Sequence, residues 1–137
     1  MSDPTALSAF AHRFTDLLKQ GDFDTAINDL HADDAVTVEA CDLPPTDDNP
    51  PMPRVVEGLD NIKAVSQWWM DNNEVHGAET KGPFLHLPDR FSVYMTLDVT
   101  PKAGPTAGER QTMEEVCLYT VKDDKVSRAE FFYDLPG

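Results

Sequence analysis

QTMEEVCLYTVKDDKVSRAEFFY, residues 111–133, is the stretch whose reading decides the fold. Two runs rich in β-branched and aromatic residues flank Asp123-Asp124, the composition of two strands joined by a tight turn. With Asp123-Asp124 as a two-residue turn, Lys122 faces Lys125. Counting outward sets Leu118 opposite Ala129, Val116 opposite Phe131 and Glu114 opposite Tyr133. Directly paired residues share a face. Phe131 and Tyr133 are therefore expected beside Val116 and Leu118, and Phe132 beside Cys117, Tyr119 and Arg128. A bulge at the turn would exchange these partners, because a one-residue slip moves every side chain to the other face. Both faces carry aromatics and need cover, so helices are expected on one side and a second subunit on the other.

Working back along the chain, RFSVYMTLDVT (90–100) alternates Phe91, Val93, Met95, Leu97 and Val99 with more polar residues, the period-2 pattern of a half-buried strand. Strand character is expected from Gly82 onward. The N-terminal half follows another period. In SDPTALSAFAHRFTDLLKQGD (2–22), Leu7, Phe10, Phe14, Leu17 and Leu18 share one helical face, with Asp3 as the expected cap, Pro4 as the first helical residue and Gly21 as the stop. Asp22 is placed to cap a short second helix carrying Phe23, Ala26, Ile27 and Leu30. DAVTVEAC (34–41) reads as a strand, and DNIKAVSQWWMDN (60–72) as a third helix capped by Asp60. Between them DLPPTDDNPPMPR (42–54) holds five prolines and excludes helix or inner strand. Helices first and strands last make an α+β domain, expected as one unit over residues 1–137.

Composition narrows the function. There are 25 acidic against 11 basic residues, a net charge of -14, so nucleic acid and anionic membrane are not expected partners. No apolar run approaches the ~20 residues of a membrane span. The N-terminus MSDPTALSAF lacks the features of a secretory signal, and a cytoplasmic location is expected. Cys41 and Cys117 read as small buried hydrophobes. The four histidines show no ligand spacing, so no metal and no cofactor are expected.

The order of parts resembles the nuclear transport factor 2-like superfamily. It runs from a long helix through GDFDTAINDLHADDAVTVEA (21–40), the proline-rich loop, GLDNIKAVSQWW (58–69) and Gly82-Pro83 to long strands ending YTVKDDKVSRAEFFYD (119–134). Within it the chain is most similar to the SnoaL-like and ketosteroid-isomerase-like members of this cystatin-like fold. The resemblance implies a cone: a curved, mixed, mainly antiparallel sheet wrapped around about three N-terminal helices, with a pocket for a small apolar molecule and homodimers formed through the outer sheet face. Isomerases of this group take a proton from carbon beside a carbonyl with a carboxylate at the end of the first strand, and the ungapped reading puts Glu39 there. A one-residue insertion puts Ala40 there instead and turns Glu39 outward.

The family's two hydrogen-bond donors fall on Phe14 and Val116, which have no proton to give. Replacements are sought among Glu114 and Tyr133, read as a polar end to a pocket lined by Phe14, Trp69, Val116, Leu118 and Phe131; Glu114 is equally readable as a rim charge, and Trp68 and Trp69 as helix core. His86 is a candidate acid/base, and Arg54 a candidate contact for an anion at the mouth. Two functions remain open: a cofactor-independent isomerase, cyclase or hydratase using a pocket carboxylate, or a non-catalytic ligand-binding or dimeric interaction module.

Overall fold

The computed structural model describes residues 4–42, 53–102, 104 and 106–134. Helix α1 (Pro4–Lys19) buries Leu7, Phe10, Phe14 and Leu18, as the apolar spacing requires. Its end is set by Gly21 at φ +75°: the Gly21 N–H donates to Leu18 O at 3.0 Å and the Asp22 N–H to Leu17 O at 2.9 Å. These bonds form a Schellman motif, whose left-handed residue glycine adopts without strain. Helix α2 (Phe23–Leu30) follows at once, capped by Asp22, whose carboxylate accepts from the Thr25 N–H at 3.1 Å and the Thr25 hydroxyl at 2.8 Å. Such a cap contributes about 1 kcal/mol. The expected Asp3 cap lies outside the described residues.

Strand β1 (His31–Val38) begins where α2 stops, three residues earlier than expected, and ends before Glu39. His31 is buried there, its Nδ1 2.9 Å from Ala26 O, and burial pushes its pKa below the ordinary histidine value. A short β2 (Val55–Glu57) pairs antiparallel with β1. Helix α3 (Leu59–Asn72) is capped at Gly58, φ +90°, not at Asp60. Asp60 sits within its first turn, where its charge suits the helix dipole.

Strands β3 (Asn73–His86), β4 (Arg90–Pro101), β5 (Gln111–Lys122) and β6 (Lys125–Phe132) complete a six-stranded sheet in the order β2-β1-β6-β5-β4-β3. Strand β3 starts nine residues before Gly82, the expected onset. It is an edge strand, and its exposed, poorly alternating first half hides it from a periodicity argument. Among the described strands only β1 and β6 pair in parallel. The sheet is curved and does not close, and the helices cover its concave side: α1 packs on β3 and β4, α3 on β1, β2 and β3. Every second residue of β4 from Phe91 to Val99 is buried in that core. No described helix is long and apolar enough to cross a membrane.

Candidate functional site

The site grows from the register of the last hairpin. Asp123 (φ +53°) and Asp124 (φ +59°) form the expected two-residue turn, and Lys122 pairs with Lys125. After Val121–Val126 the ladder resumes at Thr120–Arg128, leaving Ser127 as an extra residue whose hydroxyl donates to Thr120 O at 3.2 Å. This bulge shifts every later pair by one. Cys117 opposes Phe131 and Val116 opposes Phe132, in place of the expected Val116–Phe131 and Glu114–Tyr133 pairs. Glu115, Cys117 and Tyr119 thereby take the inner face, in step with buried Met95, Val93 and Phe91 of β4.

Three expected pocket residues are corrected by that shift. Glu114, Val116 and Leu118 lie on the outer face, where Glu114 meets Tyr94 and Val116 is 41% exposed. The signal was present in β6 itself: its inward residues are buried Val126 and Ala129 and half-buried Phe131, and a gap of three in an otherwise two-residue period marks an inserted residue.

Glu39 follows Ala35 and Thr37 on the inner side of β1, since Thr37 pairs with buried Ala129 of β6. Its N–H donates to Arg54 O at 2.7 Å, and the Arg54 N–H donates to Asp42 Oδ1 at 2.8 Å, tying together the two ends of the proline-rich segment. Its carboxylate meets Tyr133, whose hydroxyl donates to Glu39 Oε2 at 3.1 Å. The Cys41 thiol reaches the same hydroxyl, 4.0 Å from sulfur to oxygen. On β5 the Cys117 thiol donates to Glu115 Oε1 at 3.4 Å.

Two carboxyl groups thus lie on the concave side, and the charge of Glu39 acts on Glu115. Burial raises the pKa of Glu39, against the Tyr133 hydrogen bond, which lowers it by favouring the ionised form. Glu115 is pushed up to about 7, by burial first and then by the charge of Glu39, with the Cys117 thiol acting in the lowering direction. Burial holds the proton on Glu115, and the charge of Glu39 adds to that hold. Burial likewise raises the pKa of the Cys117 thiol and the Tyr119 and Tyr133 phenols, so all three stay protonated near neutral pH. The arrangement offers a base, Glu39, beside a carboxylic acid that keeps its proton to about neutrality, Glu115. Such a split of two carboxyl pKa values assigns base and acid roles in proton-transfer sites.

The remaining candidates separate from this pair. Phe14 is fully buried in an aromatic cluster, its ring centroid 4.6 Å from Tyr119 and 5.7 Å from Phe91. Trp69 and Phe131 are half-buried and pack against the core edge, as Met113 does. The Trp68 indole N–H is buried with no hydrogen-bond partner among the described residues. His86 is exposed beside the β3–β4 turn, its Nδ1 3.2 Å from Arg90 Nη2, and does not join the carboxyl pair. Among the described residues no three His, Cys, Asp or Glu side chains converge as metal ligands. Glu115 was missed because an ungapped count from the turn gave its place to Val116, and the cysteines because their polar contacts exist only in the folded register.

The open, curved, mainly antiparallel sheet with helices on its concave side is the nuclear transport factor 2-like fold. Within that class the chain belongs to the SnoaL-like family, whose domain model matches residues 6–133. A Mesorhizobium loti structure, described as a candidate SnoaL-like polyketide cyclase and also as a carbohydrate phosphatase, shares 41% identity and superimposes with a TM-score of 0.80 over 92% of this chain and 97% of its own. The same fold is seen in a candidate polyketide cyclase from Silicibacter (14% identity, TM-score 0.68, 95% of this chain and 90% of that one). A candidate isomerase from Bacillus subtilis also shares it (11% identity, TM-score 0.67, 98% and 90%). No curated protein matches.

Proposed function

We propose that this protein is a cofactor-independent cyclase or isomerase of an apolar carbonyl compound, with Glu39 as the base and protonated Glu115 as the acid. The observation that carries this reading is the Tyr133–Glu39 hydrogen bond on the concave face, with Glu115 on the same face of the neighbouring strand β5. The Glu39 carboxylate takes a proton from carbon next to the carbonyl, while Glu115 donates a hydrogen bond or its proton to the carbonyl oxygen. The resulting enol has two exits: return of a proton to another carbon gives an isomer, and attack on a second carbonyl closes a ring. A positioned base is worth about 10²–10⁴ in rate. A donor to the developing oxyanion contributes about 3 kcal/mol. The Mesorhizobium relative's name supports cyclase chemistry. A phosphate ester fits less well, because its charge would meet two carboxyl groups.

The test is deuterium exchange at the α-carbons of 2-tetralone in D2O, read by proton NMR against buffer alone. Exchange accelerated by the wild type, abolished in Glu39→Gln and weakened in Glu115→Gln is the expected result. Equal exchange in wild type and Glu39→Gln would remove the catalytic reading and leave a ligand-binding module.

The homodimer belongs to the same proposal. Tyr94, Val116 and Phe132 form one rung across three strands of the outer face, with Val116 41% and Phe132 49% exposed. Adjacent apolar side chains at the centre of a sheet suit a self-complementary interface between two copies. Free thiols at Cys41 and Cys117 accord with a reducing cytoplasm.

A further inference from the structure

Resting on the carboxyl pair of the proposed function, a selectivity follows from where the chain's positive charges stand. All but one of the 11 Lys and Arg side chains are exposed, and the exception, Arg90, is engaged with His86 beside the β3–β4 turn. Among the described residues neither Glu39 nor Glu115 pairs with a Lys or Arg; their side-chain partners are the Tyr133 hydroxyl and the Cys117 thiol. On the same face, half-buried Phe131 opposes Cys117, half-buried Met113 lies two residues before Glu115 on β5, and Met95 shares the rung of Glu115. A net charge of -14 adds a field of the same sign over the whole molecule.

We infer that Glu39 and Glu115 act together as a charge filter: the concave site accepts uncharged carbonyl compounds and rejects their carboxylate or phosphate forms. A ligand anion brought beside the pair meets negative charge in a poorly screened setting, since neither carboxyl is ion-paired among the described residues. Like-charge repulsion of this kind separates two ligands of equal shape by on the order of 30-fold. The neutral ligand loses nothing by comparison, since it brings no charge to the pair and its rings are open to Phe131 and Met113. Discrimination therefore comes from the repulsive element, and removing it relaxes the preference without adding any contact.

The test compares methyl 2-naphthoate with 2-naphthoate by equilibrium dialysis at pH 8 and low salt, using the full chain. Expected is binding of the ester with at least tenfold preference over the acid, and a preference reduced to a few-fold in Glu39→Gln/Glu115→Gln. Where the double variant fails to fold by its thermal melt, Glu115→Gln and Glu39→Gln alone each narrow the gap. Equal binding of ester and acid by the wild type overturns the filter, as does binding of neither probe at its solubility limit. An undiminished preference in the variants overturns it too. Because binding is read without turnover, an ester preference with no deuterium exchange into 2-tetralone keeps the filter and removes the catalytic reading; exchange with no ester preference does the reverse.

Discussion

The Tyr133 hydroxyl donates to Oε2 of Glu39 at 3.1 Å, joining the residue after β6 to the residue after β1, 94 positions apart in sequence. Parallel pairing of β1 with β6 makes this possible, since both strands end on the same side of the sheet. The bond occupies one carboxylate oxygen and leaves the other for a substrate. It also favours the ionised form of Glu39. Tyr133→Phe is therefore expected to move the base-dependent limb of the 2-tetralone exchange profile to higher pH. An unmoved limb would mean that Tyr133 only fills space.

Glu115 carries a cost that pH reveals. Its folded-state pKa of about 7 lies above its ordinary 4.5, so the folded chain binds this proton more tightly than the unfolded one. The stability it lends is complete below pH 4.5 and is lost as pH rises through about 7. That difference corresponds to about 3 kcal/mol. Glu115→Gln is thus expected to raise the unfolding free energy at pH 8 by about 2–3 kcal/mol relative to wild type, with the gain vanishing near pH 4.5. Urea titrations at the two pH values decide it; an equal effect at both would show that Glu115 titrates as an ordinary surface acid.

Phe132→Asp and Val116→Asp place charge at the centre of the outer face while leaving the concave side untouched. Each is expected to convert a dimer to a folded monomer in sedimentation velocity runs at micromolar concentration. A monomeric wild type would remove the interface proposal.

The β5–β6 turn holds two non-glycine residues at positive φ, Asp123 and Asp124. Aspartate tolerates that region better than most residues but still pays a backbone penalty. Asp124→Gly is expected to stabilise the chain by about 0.5–1 kcal/mol, read as a higher Tm, because a type I′ turn favours glycine at its second position. A lower Tm would indicate that the Asp124 side chain makes a contact worth more than the strain.

Helix faces, the α1 stop at Gly21, the Asp22 cap and the buried face of β4 were all legible, because each depends on local spacing and on one or two residues with definite backbone preferences. The early start of β3 was not, since an exposed edge strand shows no alternation. Glu39 was found through the order of elements. Its partner Glu115 was hidden by a single inserted serine: Ser127 changes which side of β5 faces the core, and the consequence falls on residues ten and more positions away. The β6 pattern Val126, Ala129, Phe131 carried that information, but only to a count that allows a bulge.

The measurement that tests the account most directly is a carbon-13 NMR titration of the glutamate side-chain carboxyls in the wild type, assigned with Glu39→Gln and Glu115→Gln. The account predicts that Glu115 titrates near 7 and Glu39 above the ordinary glutamate value, with Glu115 falling in Glu39→Gln as the neighbouring charge is removed. Both groups titrating independently near 4.5 would contradict it, because no acid and base would then share the site.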